Sequence, residues 1–156
     1  MIENEKCMKF PLRTEELTGL LPHRKPMVWV DRIMHVSGQQ GSTEVTLNHQ
    51  LMLDNGKMHV GALVEFLVQS YGFIMAVKQM QRHRRLKVAQ LAAIDRFELL
   101  SNMLPSEGET LSAELDTIRD LHPLYLAKGQ VFASQRRKLC EIEFKAYALF
   151  EGDENR

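Results

Sequence analysis

A chain of 156 residues with 20 basic and 20 acidic side chains has no net charge, so its total charge favours neither nucleic acid nor a membrane surface as partner. An apolar content of 44% is that of a folded chain long enough for one domain with its own core, and it argues against disorder. Two cysteines, Cys7 and Cys140, are too far apart in sequence for a ligand pair and read as reduced thiols, which points to the cytoplasm.

The opening MIENEKCMKF has acids where a secretory signal has bases, and residues 1–19 read as a polar tail. Pro22 and Pro26 hold PHRKP extended or turned, and Met27 to Val36, rich in Val, Ile and Trp, reads as a strand. SGQQGS is a turn, after which Thr43 to Leu47 alternates as strands do. His49 to Met58 is a loop with Asp54, Asn55 and Gly56 as turn formers. GKMHVGALVEFLVQSYGFIMAVKQ then forms one helix, ending in the basic run QRHRRLK. From Val60 to Val77 it is long enough to cross a bilayer, but Glu65, Gln69 and Ser70 interrupt it, and a charge at mid-membrane is costly. It reads as the core helix of a soluble protein.

Four strand-like runs follow: KVAQLAAIDRFEL, TLSAELDTIRDL, PLYLAKGQVFAS and KLCEIEFKAYALF, divided by the turns LPSEGE, HP and SQRRK. Residues 151–156 are a short tail. Two strands, one long helix and a four-strand meander make an α+β chain with an antiparallel sheet, one domain over 1–156. A helix apolar on nearly every side needs cover on nearly every side. A strongly curved sheet, with a second copy alongside, supplies it.

LLPHRKPMVWVDRIMHV resembles the N-terminal signature of the β-hydroxyacyl-acyl carrier protein dehydratases, a Leu-Pro-His-Arg step leading to a strand that ends Val-Asp-Arg. VEFLVQ resembles their helix motif, an acid followed four positions later by glutamine, and LAAIDRFEL and LAKGQVF resemble two of their later strands. The resemblance runs in order from about Leu20 to Phe150. LMLDNGKMHVGALVEFLVQ is most similar to the dehydratase-like proteins of aryl-polyene and related fatty-acid-type pathways. It implies a hotdog fold, a curved antiparallel sheet wrapped round one central helix, assembled as a homodimer or with another hotdog subunit. It also implies 3-hydroxyacyl thioesters on an acyl carrier protein as substrates. The housekeeping enzymes carry the loop histidine fourteen residues before the acid; here that position is Leu51, with His49 two residues earlier.

Dehydrating a 3-hydroxyacyl thioester takes a base for the α-proton, an acid for the departing hydroxyl, and donors for the thioester oxygen. A carboxyl group set among apolar neighbours keeps a proton available near neutral pH, and this is the functional reading of Glu65. The resemblance gives the acid the hydroxyl and gives a histidine, across a dimer interface, the α-proton. His49 is the first candidate for that histidine. His59, at the start of the helix, is the second and is assigned to substrate binding. Gly61 in the first helical turn would let a thioester carbonyl approach backbone N–H groups. Gln69 shares a face with Glu65 and pairs with it or shapes the site. Arg82, Arg84 and Arg85 either suit a helix C-terminus or receive the carrier's phosphate and acidic face. Met52, Met58, Met75 and Met80 are core filler that would also suit an acyl tunnel. Glycine-rich phosphate loops, metal-ligand spacings and nucleophile elbows are absent, so no cofactor or metal is expected. Two other readings stay open: a catalytically degenerate subunit supporting an active partner, and a thioesterase in which Glu65 activates water.

Overall fold

The computed structural model describes residues 8–17, 19, 21, 28–48 and 56–153. His49, Leu51 and Met52, together with Cys7 and all of PHRKP, lie outside them.

The long apolar run forms helix α1 (Val60–Met80), which lies on one face of a seven-stranded antiparallel sheet. The strands are β1 (Leu12–Arg13), β2 (Arg32–Ser37), β3 (Gln40–Thr46), β4 (Leu86–Leu99), β5 (Thr110–Leu121), β6 (Leu124–Phe132) and β7 (Lys138–Phe150). Their order across the sheet is β1-β2-β3-β5-β6-β7-β4. This is the hotdog arrangement, with the helix at its centre.

Period-two alternation places Leu111, Ala113 and Leu115 of β5 and Ile142, Phe144 and Phe150 of β7 on the inner face, against Phe66, Leu67 and Ile74 of α1. Helix and sheet touch closely where strand glycines face inward. A Cβ built on Gly41 would stand 2.6 Å from Ile74 Cδ1, and one on Gly129 would stand 2.9 Å from Leu67. Two polar pairs cross the same interface: Ser70 Oγ with Thr43 Oγ1 at 2.7 Å, and Tyr71 Oη with Thr117 Oγ1 at 2.8 Å. Each partner satisfies the other, so neither hydroxyl is left without a bond in an apolar setting. Of the most apolar eighteen-residue stretch of α1, 67% is buried against the protein itself, as befits a core helix.

Three expectations are corrected. The first long strand begins at Arg32 rather than Met27. The expected N-terminal tail contains strand β1, paired with β2, and a 3-10 turn at Thr14–Leu17. The four later strands do not form one meander: β5, β6 and β7 do, whereas β4 runs along the far edge beside β7. The helix crosses the sheet and delivers the chain to that edge before the meander begins. Of the expected C-terminal tail, residues 151–153 are tied down. Asp153 accepts the Phe150 N–H at 2.6 Å, pairs with Arg84 at 2.8 Å and stands 3.2 Å from His122 Nε2.

Candidate active site

The first turn of a helix leaves backbone N–H groups without partners, and here an imidazole takes one of them. His59 is the N-cap, in extended conformation, and its Nδ1 accepts the Gly61 N–H at 3.0 Å. A Cβ on Gly61 would come within 2.9 Å of that nitrogen, so glycine is what lets the ring fold over the turn. As the acceptor of that bond, Nδ1 is the ring nitrogen without a hydrogen. His59 is exposed and does a cap's work, usually left to Ser, Thr, Asp or Asn. Gly61 is expected to let a thioester carbonyl approach the free N–H groups of the first turn, and its own is not one of them. That N–H belongs to the cap.

Gly61, Glu65 and Gln69 follow one another at four-residue intervals and share one face of α1. Glu65 is half-buried, and Gln69 is only 2% exposed. Gln69 Oε1 accepts the backbone N–H of Trp29 at 2.9 Å, and its Nε2 donates to Glu65 Oε1 at 2.9 Å. Only the amide oxygen can take a bond from Trp29, so the nitrogen must point to the carboxyl group. The segment leading into β2 thereby orients Gln69, and Gln69 orients Glu65.

An apolar cleft of about 50 Å³ begins at Gln69 and runs between α1 and the β4–β7 pair, lined by Leu21, Val68, Met75, Leu91 and Phe144 among others. Of the four methionines offered as tunnel lining, Met75 lies on this cleft. Met58 is buried in the core and Met80 packs against it. Gln69, which lines this cleft, is thus the residue that holds the Glu65 carboxyl in orientation.

The three arginines after the helix are used differently. Arg84 is committed to Asp153 and lies 5.1 Å over the Phe150 ring. Arg82 and Arg85 are exposed. Among the described residues no group of His, Cys, Asp and Glu side chains is placed to hold a metal ion. The Trp29 backbone contact escaped the sequence reading, because a main-chain donor forty positions from its acceptor leaves no mark in residue type.

Residues 15–147 match the sequence model of the ApeP-like family, described as ApeP dehydratase. The chain is similar to the 3-hydroxyacyl-acyl-carrier-protein dehydratase FabZ of Bacillus pumilus (strain SAFR-032), 30% identical over 142 residues that cover 85% of this chain and 92% of that protein. FabZ of Bacillus subtilis (strain 168) is 30% identical over 149 residues, covering 90% and 99%. Among solved structures, the dehydratase heterocomplex ApeI:P from Xenorhabdus doucetiae matches with a TM-score of 0.75 at 15% identity, over 83% of this chain and 88% of that one. The E. coli PaaI protein from the phenylacetic acid degradation operon matches with a TM-score of 0.60 at 13% identity, over 74% and 80%.

Proposed function

Because the chain belongs to the ApeP-like dehydratase family, we propose that it removes water from 3-hydroxyacyl groups held as thioesters on an acyl carrier protein, in a fatty-acid-type or polyene biosynthetic pathway in the cytoplasm. The observation that carries this is the chain of bonds from Trp29 N–H through Gln69 to Glu65, with Gln69 itself lining an apolar cleft. In the reaction a base takes the α-proton and the C–H electron pair becomes the new double bond. The C–O bond breaks as the 3-hydroxyl accepts a proton, and water departs. Glu65 supplies the proton to the hydroxyl, Gln69 holds it in place, and His49 is the residue we assign as base.

That base is delivered by assembly. Among the described residues β4 pairs only with β7, and it exposes Leu91 at 40%, Ile94 at 44% and Leu99 at 40%. Such an edge suits a second chain, a copy of this one or another hotdog subunit, added strand to strand with its loop histidine brought toward Glu65. Arg82 and Arg85 are left to receive the acidic carrier.

The test is turnover of a 3-hydroxyacyl-carrier substrate by Glu65→Gln, with products separated by mass. We expect loss of enoyl thioester formation by at least about a hundredfold with the fold unchanged, the scale of general acid catalysis. Unaltered turnover would overturn the assignment, and a free acid in place of the enoyl thioester would mark hydrolysis. One observation favours a second reading: His59, the alternative imidazole near the acid, is occupied as a helix cap. A subunit that borrows its base from a different hotdog chain would be inactive alone and active with that partner. Assaying the protein both ways separates the two.

A further inference from the structure

We infer that the notch between the C-terminal end of α1 and the turn joining β2 to β3 is a binding site for a phosphate monoester whose organic part carries an N–H or O–H donor. The site lies thirteen residues along α1 from Glu65, about 20 Å at the helical rise, so it is separate from the cleft of the dehydration reaction.

The notch has two chambers. The outer one, about 220 Å³, is lined by Gly38, Gln39, Lys78, Arg82, Val36 and Gln81, with no acidic side chain. An adjoining chamber of about 20 Å³ shares Gly38, Gln39, Lys78 and Arg82 and adds Gln79, Asp120, Thr117 and Tyr125 among others. The outer chamber is rich in cations. Lys78 and Arg82 are one helical turn apart, and like charges at that spacing destabilise a helix unless something lies between them. Burial, and next the Arg82 charge, pull the Lys78 pKa below its ordinary value, while Asp120 opposes the shift. Lys78 Nζ donates to Gln39 Oε1 at 3.3 Å, and among the described residues Arg82 has no ion-pair partner. A dianion satisfies both cations at once, with the tight turn at Gly38 (φ +56°) bringing main chain close to it.

The inner chamber asks for the opposite. Gln79 is 5% exposed, and its buried Oε1 has no hydrogen-bond partner. A buried acceptor left unpaired is costly, and the residue that carries this one lines a space large enough for a single small polar group. Asp120 on the same wall is a second acceptor. An anion outside and a donor inside describe one molecule, an organic phosphate with a hydroxyl or amide near its ester. Two sources have that chemistry: the phosphopantetheine arm that carries a thioester, and a free phosphorylated metabolite.

The experiment titrates the ¹⁵N-labelled full chain with 4′-phosphopantetheine, glycerol 3-phosphate, inorganic phosphate and unphosphorylated pantetheine at constant ionic strength. Both esters are expected to shift the Gly38 and Gln39 amides and the Gln79 side-chain amide saturably, with inorganic phosphate weaker and pantetheine silent. Arg82→Ala should weaken both esters about tenfold or more, the scale of a lost charge-assisted bond. Gln79→Leu should weaken the esters and leave inorganic phosphate unchanged. Tighter phosphopantetheine binding identifies the carrier's arm as the occupant, and tighter glycerol phosphate binding identifies a free metabolite. Absence of saturation, insensitivity to Arg82→Ala, or inorganic phosphate binding as tightly as either ester overturns the site. None of these readings uses turnover, so their failure leaves the dehydratase assignment standing.

Discussion

Strands β4 and β7 run side by side, paired from Leu86 with Phe150 to Leu99 with Cys140, yet they live in different surroundings. In β7, Cys140, Ile142, Phe144, Ala148 and Phe150 are buried, and β6 and β4 hold the strand on both sides. In β4 the stretch Val88–Ile94 carries no charge, Leu91 and Ile94 are exposed, and three register shifts break its pairing with β7. Edges meant for water are guarded by charge, and that stretch of β4 is not. A strand with core composition, at an edge with no further partner among the described residues, is where the proposed second chain would add to the sheet, whereas β7 completes the sheet of its own chain.

The widest separation of the two strands comes from Phe144→Ala. Phe144 is 1% exposed and takes the edge of Tyr71 at 5.3 Å, so truncation should cost about 3–5 kcal/mol in denaturant melts. A cost below about 1 kcal/mol would mean that β7 is not the core strand described. Ile94→Asp on β4 should leave the dilute single chain within about 1 kcal/mol of the parent while splitting the assembly, read by sedimentation, and activity should fall with it. Unfolding of the dilute chain would erase the contrast.

A smaller effect appears at the far end of β7, where the Phe150 N–H bond holds the Asp153 carboxyl below the usual carboxylate range, against burial and with help from His122 and Arg84. Folding favours the charged form. The stability this adds is therefore present above the unfolded carboxyl's pKa and lost as pH falls through the lowered folded one. Asp153→Asn should therefore lower stability near neutrality and flatten the acid limb of the stability curve below about pH 4, so that variant and parent converge at low pH. Smallest is the cross-strand pair Lys145–Asp95 at 2.8 Å, exposed on both sides, where Lys145→Ala should cost less than about 1 kcal/mol.

What the sequence disclosed divides along the same line. Strands β4 to β7 were legible because alternation and turn residues are local signals, and the helix because a 21-residue run dominated by apolar side chains is hard to misread. The placement of β4 at the far edge was not, since strand order is a matter of long-range pairing. The two residues of β1 are too short to show a period. Glu65 and Gln69 were legible as a pair by spacing. The capping role of His59 was readable in principle from a side-chain acceptor standing two residues before a glycine. The Trp29 bond that orients the pair was not, since any residue but proline has an N–H to give.

At Gly41 the missing side chain works as a spacer set to zero. Three atoms of Ile74 stand within 2.7 Å of where a methyl would go, too many for one rotamer change to clear. Even alanine there would pry the helix from its bed, and because α1 is one stiff rod, the tilt would travel to the end that bears the acid. A position on the sheet would thus act as the fulcrum for the proposed proton transfer, and substitutions there should spoil catalysis by misalignment before they melt the protein.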